Sequence, residues 1–125
     1  MGLFLYGTLL HPRVFELVAG PGGGSMQEAT LADHAVLRVK DSELPMLVQQ
    51  EGGIAKGQFW SGLTAAQIAR LDAYEIPFGY HPKTLVVRLS DGRVVEAQVY
   101  EPPADQHPTQ EPWSIHRWEA AWGEM

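Results

Sequence analysis

The chain has 125 residues, of which 45% are hydrophobic and 19% are charged, with a formal net charge of −6 and no cysteine. This composition is typical of one globular domain with its own core, and it excludes disulfides, thiolate catalysis and cysteine-based zinc sites. The sequence contains neither a basic run for binding nucleic acid nor a basic membrane-binding helix. It also lacks an apolar stretch of the roughly 20 residues that span a bilayer and a signal-type N-terminus, so we expect a cytoplasmic location.

The first predicted element is a short strand over residues 2–6, GLFLY, whose continuous apolar character indicates burial on both faces. It ends abruptly at Gly7-Thr8. This ending is either a tight turn after an edge strand or a loop whose backbone amides face a ligand. A short helix follows, with Pro12 in its first turn, and it stops at the glycine-rich segment 20–25. That segment lacks the Lys-Ser/Thr pair of a phosphate-binding P-loop, which favours a flexible loop.

Three strands are predicted next, within residues 27–40, 44–50 and 52–62. Pro45 in the second of them indicates an edge position or a bulge, because proline cannot donate a hydrogen bond to a neighbouring strand. The glycines of the third suit a strand that bends around the corner of a barrel.

A helix over residues 64–75 has the clearest boundaries in the sequence. Thr64 followed by Gln67 predicts a capping box at its start. Pro77 disfavours helical geometry at the residue before it, so the helix must end near Glu75.

The C-terminal part contains a predicted hairpin over residues 80–101, with the turn at Asp91-Gly92. A proline-rich extended arm (102–112) and a short tryptophan-rich helix (113–122) follow. Many short strands interrupted by two or three helices predict a mixed α/β (α+β) domain with a curled, mostly antiparallel sheet or barrel.

Glu75 lies in an unexpected place on its helix. At about 100° per residue it falls about 20° from Ile68, in the middle of the apolar stripe formed with Leu71. A carboxylate on a core-facing side must be paired, hydrated or functional. Partial burial, the helix C-terminus and the nearby Asp72 would all raise its pKa toward the range in which a general acid/base works.

Two alternatives to a functional Glu75 remain open from periodicity. Arg70 or Lys83 could form an ion pair with its carboxylate. Alternatively, the last helical turn swings into solvent, and Glu75 is an ordinary surface residue.

Other catalytic chemistry finds little support in the sequence. The five histidines show no metal-ligand spacing, so no metal site is predicted. No Gly-x-Ser-x-Gly motif for a nucleophilic serine is present.

Two motifs together resemble the gamma-glutamyl cyclotransferase-like family. They are LFLYGTLL at residues 3–10 and ARLDAYE at 69–75. The segments LPMLV, GIAKGQFW and YHPKTLVVRLSDGRVVEAQVY resemble the family's proline-containing strand, its glycine-containing strand and its closing hairpin. The resemblance covers residues 3 to about 101, and we therefore divide the chain into a cyclotransferase-like domain (1–101) and a C-terminal arm and helix that pack on it (102–125).

The resemblance implies a small β-barrel with flanking helices, and neither a metal nor an organic cofactor. It implies an enzyme that cyclises a γ-glutamyl group to 5-oxoproline and releases an amine or amino acid. By motif position it implies Glu75 as the catalytic acid/base, and the substrate-binding residues Tyr6, Gly7, Thr8, Leu9 and Tyr80. The partner implied is a small γ-glutamyl compound, with neither nucleic acid nor membrane; the oligomeric state stays open.

Ile76-Pro77 marks a departure from the family, in which glycine usually follows the glutamate. We therefore expect a different pocket rim near residues 76–80, and the choice of substrate stays open. Two other functions stay open: a non-catalytic domain that binds a small carboxylate, and a related γ-glutamyl-processing step in biosynthesis. An acidic residue at position 75 favours an enzyme, because a second carboxylate would weaken a pure carboxylate-binding pocket.

Overall fold

The computed structural model describes residues 2–122, with Trp122 described by its backbone alone; residues 123–125 of the predicted tail lie outside the described residues. The described chain contains six strands, β1 (Gly2–Leu5), β2 (Ser25–Val39), β3 (Pro45–Ser61), β4 (His81–Leu89), β5 (Val94–Glu101) and β6 (Pro108–Pro112). Its α-helices are α1 (Pro12–Ala19), α2 (Ala65–Glu75) and α3 (Ile115–Trp122), and two 3-10 turns are η1 (Thr8–Leu10) and η2 (Ile76–Phe78).

The strands form a closed five-stranded barrel with one outer strand. Neighbours follow the order β3-β1-β5-β4-β2, and the pairing of β2 with β3 closes the barrel. β6 pairs with the end of β2 on the outside. Only the β1–β5 pair is parallel among the described strands. The predicted α+β fold with a mostly antiparallel barrel is confirmed.

β1 separates two hydrophobic cores, which explains its continuous apolar sequence. Phe4 and Tyr6 point into the barrel core, and Leu3 and Leu5 point into a second core beneath the helices. Successive side chains of a strand alternate between its faces, so a strand in the middle of such a layered domain needs apolar residues at every position. The barrel core consists of Phe4, Tyr6, Ala29, Leu31, Leu47, Ala55, Phe59, Val87, Leu89, Ala97 and Val99. The helix-side core consists of Leu3, Leu5, Leu9, Val14, Phe15, Ala19, Leu71, Tyr100 and Trp118.

The prediction of two strands over 44–50 and 52–62 is wrong, because both belong to the single long strand β3. The ladder with β2 is interrupted by a bulge at Asp33, and pairing resumes beyond it. The Asp33 carboxylate accepts a hydrogen bond from the Gly52 amide at 3.0 Å. The Asp33 side chain thus supplies a hydrogen-bond acceptor to a β3 amide where the two strands separate, and the strand continues through the bulge. Pro45 is the first residue of β3, a position that proline tolerates.

The helices follow the sequence signals closely. The capping box of α2 is present: the Gln67 amide donates to Thr64 Oγ1 at 3.1 Å, and the Thr64 amide donates to Gln67 Oε1 at 2.8 Å. Trp118 of α3 is 6% exposed and packs in the helix-side core. None of the helices in the described part of the chain is both long and apolar enough to cross a membrane.

The proline-rich segment 102–112 is only partly a free arm, because its last five residues form β6. Arg38 of β2 holds this strand by donating to the Glu111 carboxylate at 2.9 Å. The indole of Trp113 then donates to the Glu43 carbonyl at 2.7 Å, which ties the start of the α3 segment to the loop before β3.

Candidate active site

A cavity of about 190 Å³ opens beside the end of β1. All six residues that the sequence singled out lie in its lining, namely Tyr6, Gly7, Thr8, Leu9, Glu75 and Tyr80. The cavity adds eight residues that sequence reasoning missed: Phe4, Leu5, Leu44, Pro45, Tyr74, Phe78, Tyr100 and Gln106. Pockets for drug-sized ligands usually measure about 300–1,000 Å³, so this one suits a smaller molecule or part of one.

The segment after β1 leaves backbone donors at the cavity wall. The Leu10 amide donates to the Gly7 carbonyl at 2.9 Å, and the His11 amide donates to the Thr8 carbonyl at 3.1 Å, which forms the 3-10 turn η1. The amides of Thr8 and Leu9 precede these bonds and have no partner inside the turn. Leu9 anchors the segment because its side chain is buried in the helix-side core.

Gly7 is required for a different reason from the one its motif suggests. The sequence predicts that its missing side chain makes room for a ligand. In the structure, a Cβ at this position would lie 2.7 Å from Cγ of Pro45, at the start of β3. The close approach is therefore between two parts of the cavity wall, and glycine lets them meet.

Glu75 lies at the end of α2 with its side chain partly buried in the cavity wall. Burial raises the pKa of this carboxyl from 4.5 to about 7. The carboxylate has no hydrogen-bond or ion-pair partner among the described residues. Glu75 lies on the inner side of α2, as the helical periodicity predicts. Ile68, which the prediction placed at the centre of that side, is 38% exposed, and the buried stripe runs through Gln67 and Leu71.

The expected charged neighbours of Glu75 are engaged elsewhere. Asp72 accepts a hydrogen bond of 2.6 Å from the Tyr100 hydroxyl, and burial alone accounts for the raised pKa of Glu75, so the expected contribution of Asp72 is wrong. Arg70 donates to the Ala19 carbonyl at 3.3 Å. Lys83 lies 3.5 Å from Glu101. Neither cation neutralises Glu75.

Three of the tyrosines that line the cavity together with Glu75 are shielded from solvent to different degrees: Tyr6 and Tyr100 are buried, and Tyr80 is half-buried. The Tyr6 hydroxyl donates to the Tyr100 carbonyl at 2.6 Å. The Tyr80 hydroxyl lies 3.1 Å from the Pro45 carbonyl and 3.3 Å from Gln106 Oε1, either of which can accept its proton. These bonds link β1, β5, β3 and the proline-rich segment around one cavity.

The same tyrosines cannot act as bases near neutral pH. Burial is the largest cause that raises the pKa of Tyr6, Tyr80 and Tyr100 above the usual value of 10.0, and the negative charge of Glu75 raises each further. Their hydroxyls stay protonated. Glu75 is therefore the lining side chain whose protonation changes near neutrality.

The missed residues reach the cavity through pairings that the sequence does not display. Tyr100 follows Val99, which pairs with Phe4 across the parallel β1–β5 ladder. Gln106 lies in the proline-rich segment, which the sequence presented only as an arm. The signal for Tyr100 was its place at the end of an alternating strand, but its partner strand lies more than 90 residues away. Among the described residues, no three histidine or acidic side chains converge to hold a metal ion.

The sequence matches one family model over residues 3–120, described as gamma-glutamyl cyclotransferase, AIG2-like. This match extends past residue 101, where the motif resemblance ended, and takes in β6 and most of α3. A comparison with curated proteins found no match.

Solved structures share the fold. The solution structure of an Arabidopsis thaliana protein has a TM-score of 0.76 at 23% identity, covering 97% of this chain and 81% of that one. A gamma-glutamyl cyclotransferase has a TM-score of 0.70 at 17% identity, covering 88% and 72%. An AIG2-like protein from Mus musculus has a TM-score of 0.66 at 22% identity, covering 91% and 85%. At such identities the likeness shows the fold alone.

Proposed function

Because the chain belongs to the gamma-glutamyl cyclotransferase, AIG2-like family, we propose that it is an enzyme that cyclises a γ-glutamyl group. The α-nitrogen of the glutamyl group attacks its own γ-carbonyl carbon. A new C–N bond closes the five-membered ring of 5-oxoproline, and the bond from the γ-carbon to the leaving nitrogen breaks. The two protons lost by the α-ammonium are the two gained by the departing amine, so the reaction consumes neither water nor a second reactant.

The observation that carries the proposal is the state of Glu75. Its carboxyl lines the cavity, has a pKa of about 7 and is free of ion pairs with the described residues. A general acid/base works best when its pKa is near the working pH, because it can then both accept and return a proton. In the proposed mechanism Glu75 takes a proton from the α-ammonium, which frees the nucleophile, and returns one to the leaving nitrogen.

The rest of the cavity would select one conformation of the substrate. Nucleophile and electrophile belong to the same molecule, so the enzyme gains mainly by holding them in contact, an effect worth up to about 7–11 kcal/mol. We assign the backbone amides of the Gly7–Leu9 segment to the substrate α-carboxylate. Backbone amides suit this role because they donate hydrogen bonds and do not compete with Glu75 for the proton.

Tyr6 and Tyr80 would shape the floor and side of this binding site. Their hydroxyls already donate to backbone carbonyls, which fixes both rings. Fixed aromatic walls exclude water from the reacting carbonyl, and this strengthens the electrostatic effect of a nearby carboxyl.

The proposal is tested by incubating the purified protein with a set of γ-glutamyl compounds and measuring 5-oxoproline by mass spectrometry. Glu75→Gln keeps the size of the side chain and removes the base, so we expect a loss of at least about 10²-fold in turnover. Glu96→Gln, on the exposed face of β5, is the matched control and should retain full activity. Near-normal turnover by a folded Glu75→Gln protein would refute the mechanism. Binding of γ-glutamyl compounds without any 5-oxoproline would instead support a non-catalytic binding domain.

A further inference from the structure

We propose that the cavity rim selects γ-glutamyl compounds whose leaving nitrogen carries an uncharged, apolar group; this rests on the proposed function and names its substrate class. The inference comes from side chains at the mouth of the cavity that no step of the cyclisation uses.

Two large apolar side chains line the cavity and yet remain exposed. Leu44, just before β3, is 40% exposed, and Phe78, at the end of η2, is 68% exposed. Isolated exposed apolar residues are common, but these two belong to the lining of one small cavity. Their exposed surface is what an apolar substituent leaving the cavity would cover.

The local sequence holds Phe78 in this position. Pro77 lies in the first turn of η2 and fixes its start, and the Gly79 amide donates to the Ile76 carbonyl at 2.9 Å to close it. Gly79 then has φ 89°, a left-handed conformation that favours glycine. The ring of Phe78 also contacts the Tyr74 ring edge-on, with centroids 6.3 Å apart. An aromatic surface fixed in this way loses little entropy when a ligand packs on it.

The charges of the cavity favour a neutral leaving group. Glu75 is the single charged side chain among its described lining residues. A leaving group with its own carboxylate would meet no cation there, and Glu75 in its ionised form would repel it. A leaving group with an ammonium would lose water against Leu44 and Phe78, and the one acidic side chain among the described lining residues, Glu75, is committed to the reacting nitrogens. An alkyl or aryl amine avoids both costs.

The test compares four substrates that differ only in the group on the γ-nitrogen. They are γ-glutamyl methylamide, γ-glutamyl benzylamide, γ-glutamyl alanine and γ-glutamyl-ε-lysine. We expect kcat/KM for 5-oxoproline release from the benzylamide to exceed each of the others by about tenfold or more, in the range that a hydrophobic pocket supplies for added apolar groups. Phe78→Ala should remove most of this preference, because the benzyl group then loses the aromatic surface that it covers.

Ile54→Ala is the matched control, since Ile54 is an exposed apolar residue of β3 outside the cavity lining. It should leave the order of substrates intact. The dissociation constants of the same four compounds are measured by calorimetry on the Glu75→Gln protein, so that binding is read apart from chemistry. If 5-oxoproline is released but the charged compounds are processed as well as the benzylamide, the inference is wrong while the proposed function stands. If none is turned over, tighter binding of the benzylamide still supports the rim assignment, and equal or absent binding overturns it.

Discussion

Replacing Glu75 by glutamine should change how the stability of this protein depends on pH. Folding raises the pKa of this carboxyl from 4.5 to about 7. The folded state therefore holds the proton more tightly than the unfolded chain does. The resulting stabilisation is complete below pH 4.5 and is lost as the pH rises through about 7. Glutamine carries no ionisable proton, so a Glu75→Gln protein should lack this loss.

The size of the effect follows from the two pKa values. At 1.36 kcal/mol per pKa unit, the difference between 4.5 and about 7 sets an upper limit of about 3 kcal/mol on the contribution of Glu75 to the free energy of unfolding. Glu75 keeps part of its surface in water, and solvent screening reduces the effect, so we expect about 1–3 kcal/mol. This is a large share of the total stability of a small domain.

The assay is urea unfolding followed by tryptophan fluorescence, between pH 5 and pH 8.5, for the wild type and for Glu75→Gln. The wild type should lose stability relative to the variant as the pH rises, with the steepest change between 4.5 and 7. Glu96→Gln removes an exposed carboxylate of β5 and should give a curve parallel to the wild type. If the stability–pH curve of Glu75→Gln is also parallel to that of the wild type, Glu75 is solvated like a surface residue. The physical basis for assigning it as the general acid/base would then be lost.

Three further predictions address the cavity and the helix-side core. The acid limb of the kcat/KM profile should lie near pH 7, because the carboxylate form of Glu75 is the base. Asp72→Asn should move this limb by less than about half a pH unit, because burial sets the pKa of Glu75. A larger displacement in the pH–rate profile would contradict this reasoning. Gly7→Ala should lower the free energy of unfolding by about 1–3 kcal/mol, because the added methyl group clashes with Pro45. Pro45→Ala should recover part of this loss, which a double-mutant cycle by urea unfolding measures. Additive losses would place the strain elsewhere. Trp118→Ala should destabilise the fold by about 3–5 kcal/mol in thermal or urea unfolding, because its ring fills the helix-side core; a loss near zero would mean that α3 is not part of the stable unit.

The sequence determined those features whose signals are local. The capping box at Thr64, the end of α2 before Pro77 and the Asp91-Gly92 turn each depend on residues within one or two turns of the chain, and the structure reproduces all three. The inward side of Glu75 was also readable, because a helix repeats every 3.6 residues whatever it packs against. Burial on both faces of β1 followed from its unbroken apolar sequence.

Only the tertiary structure decided which distant segments share the cavity. The parallel pairing of β1 with β5 brings Tyr100 beside Tyr6, and the sequence of neither strand identifies the other as its partner. The same limit explains why the predicted effect of Asp72 was wrong. Its proximity to Glu75 along the helix predicted that it would raise the pKa of Glu75, but the Asp72 carboxylate accepts a hydrogen bond from the Tyr100 hydroxyl of β5. Electrostatic effects depend on distance and solvent in three dimensions, and sequence spacing gives these only within one helix or strand. For that reason the sequence identified the carboxyl group, and the fold of the barrel set its environment.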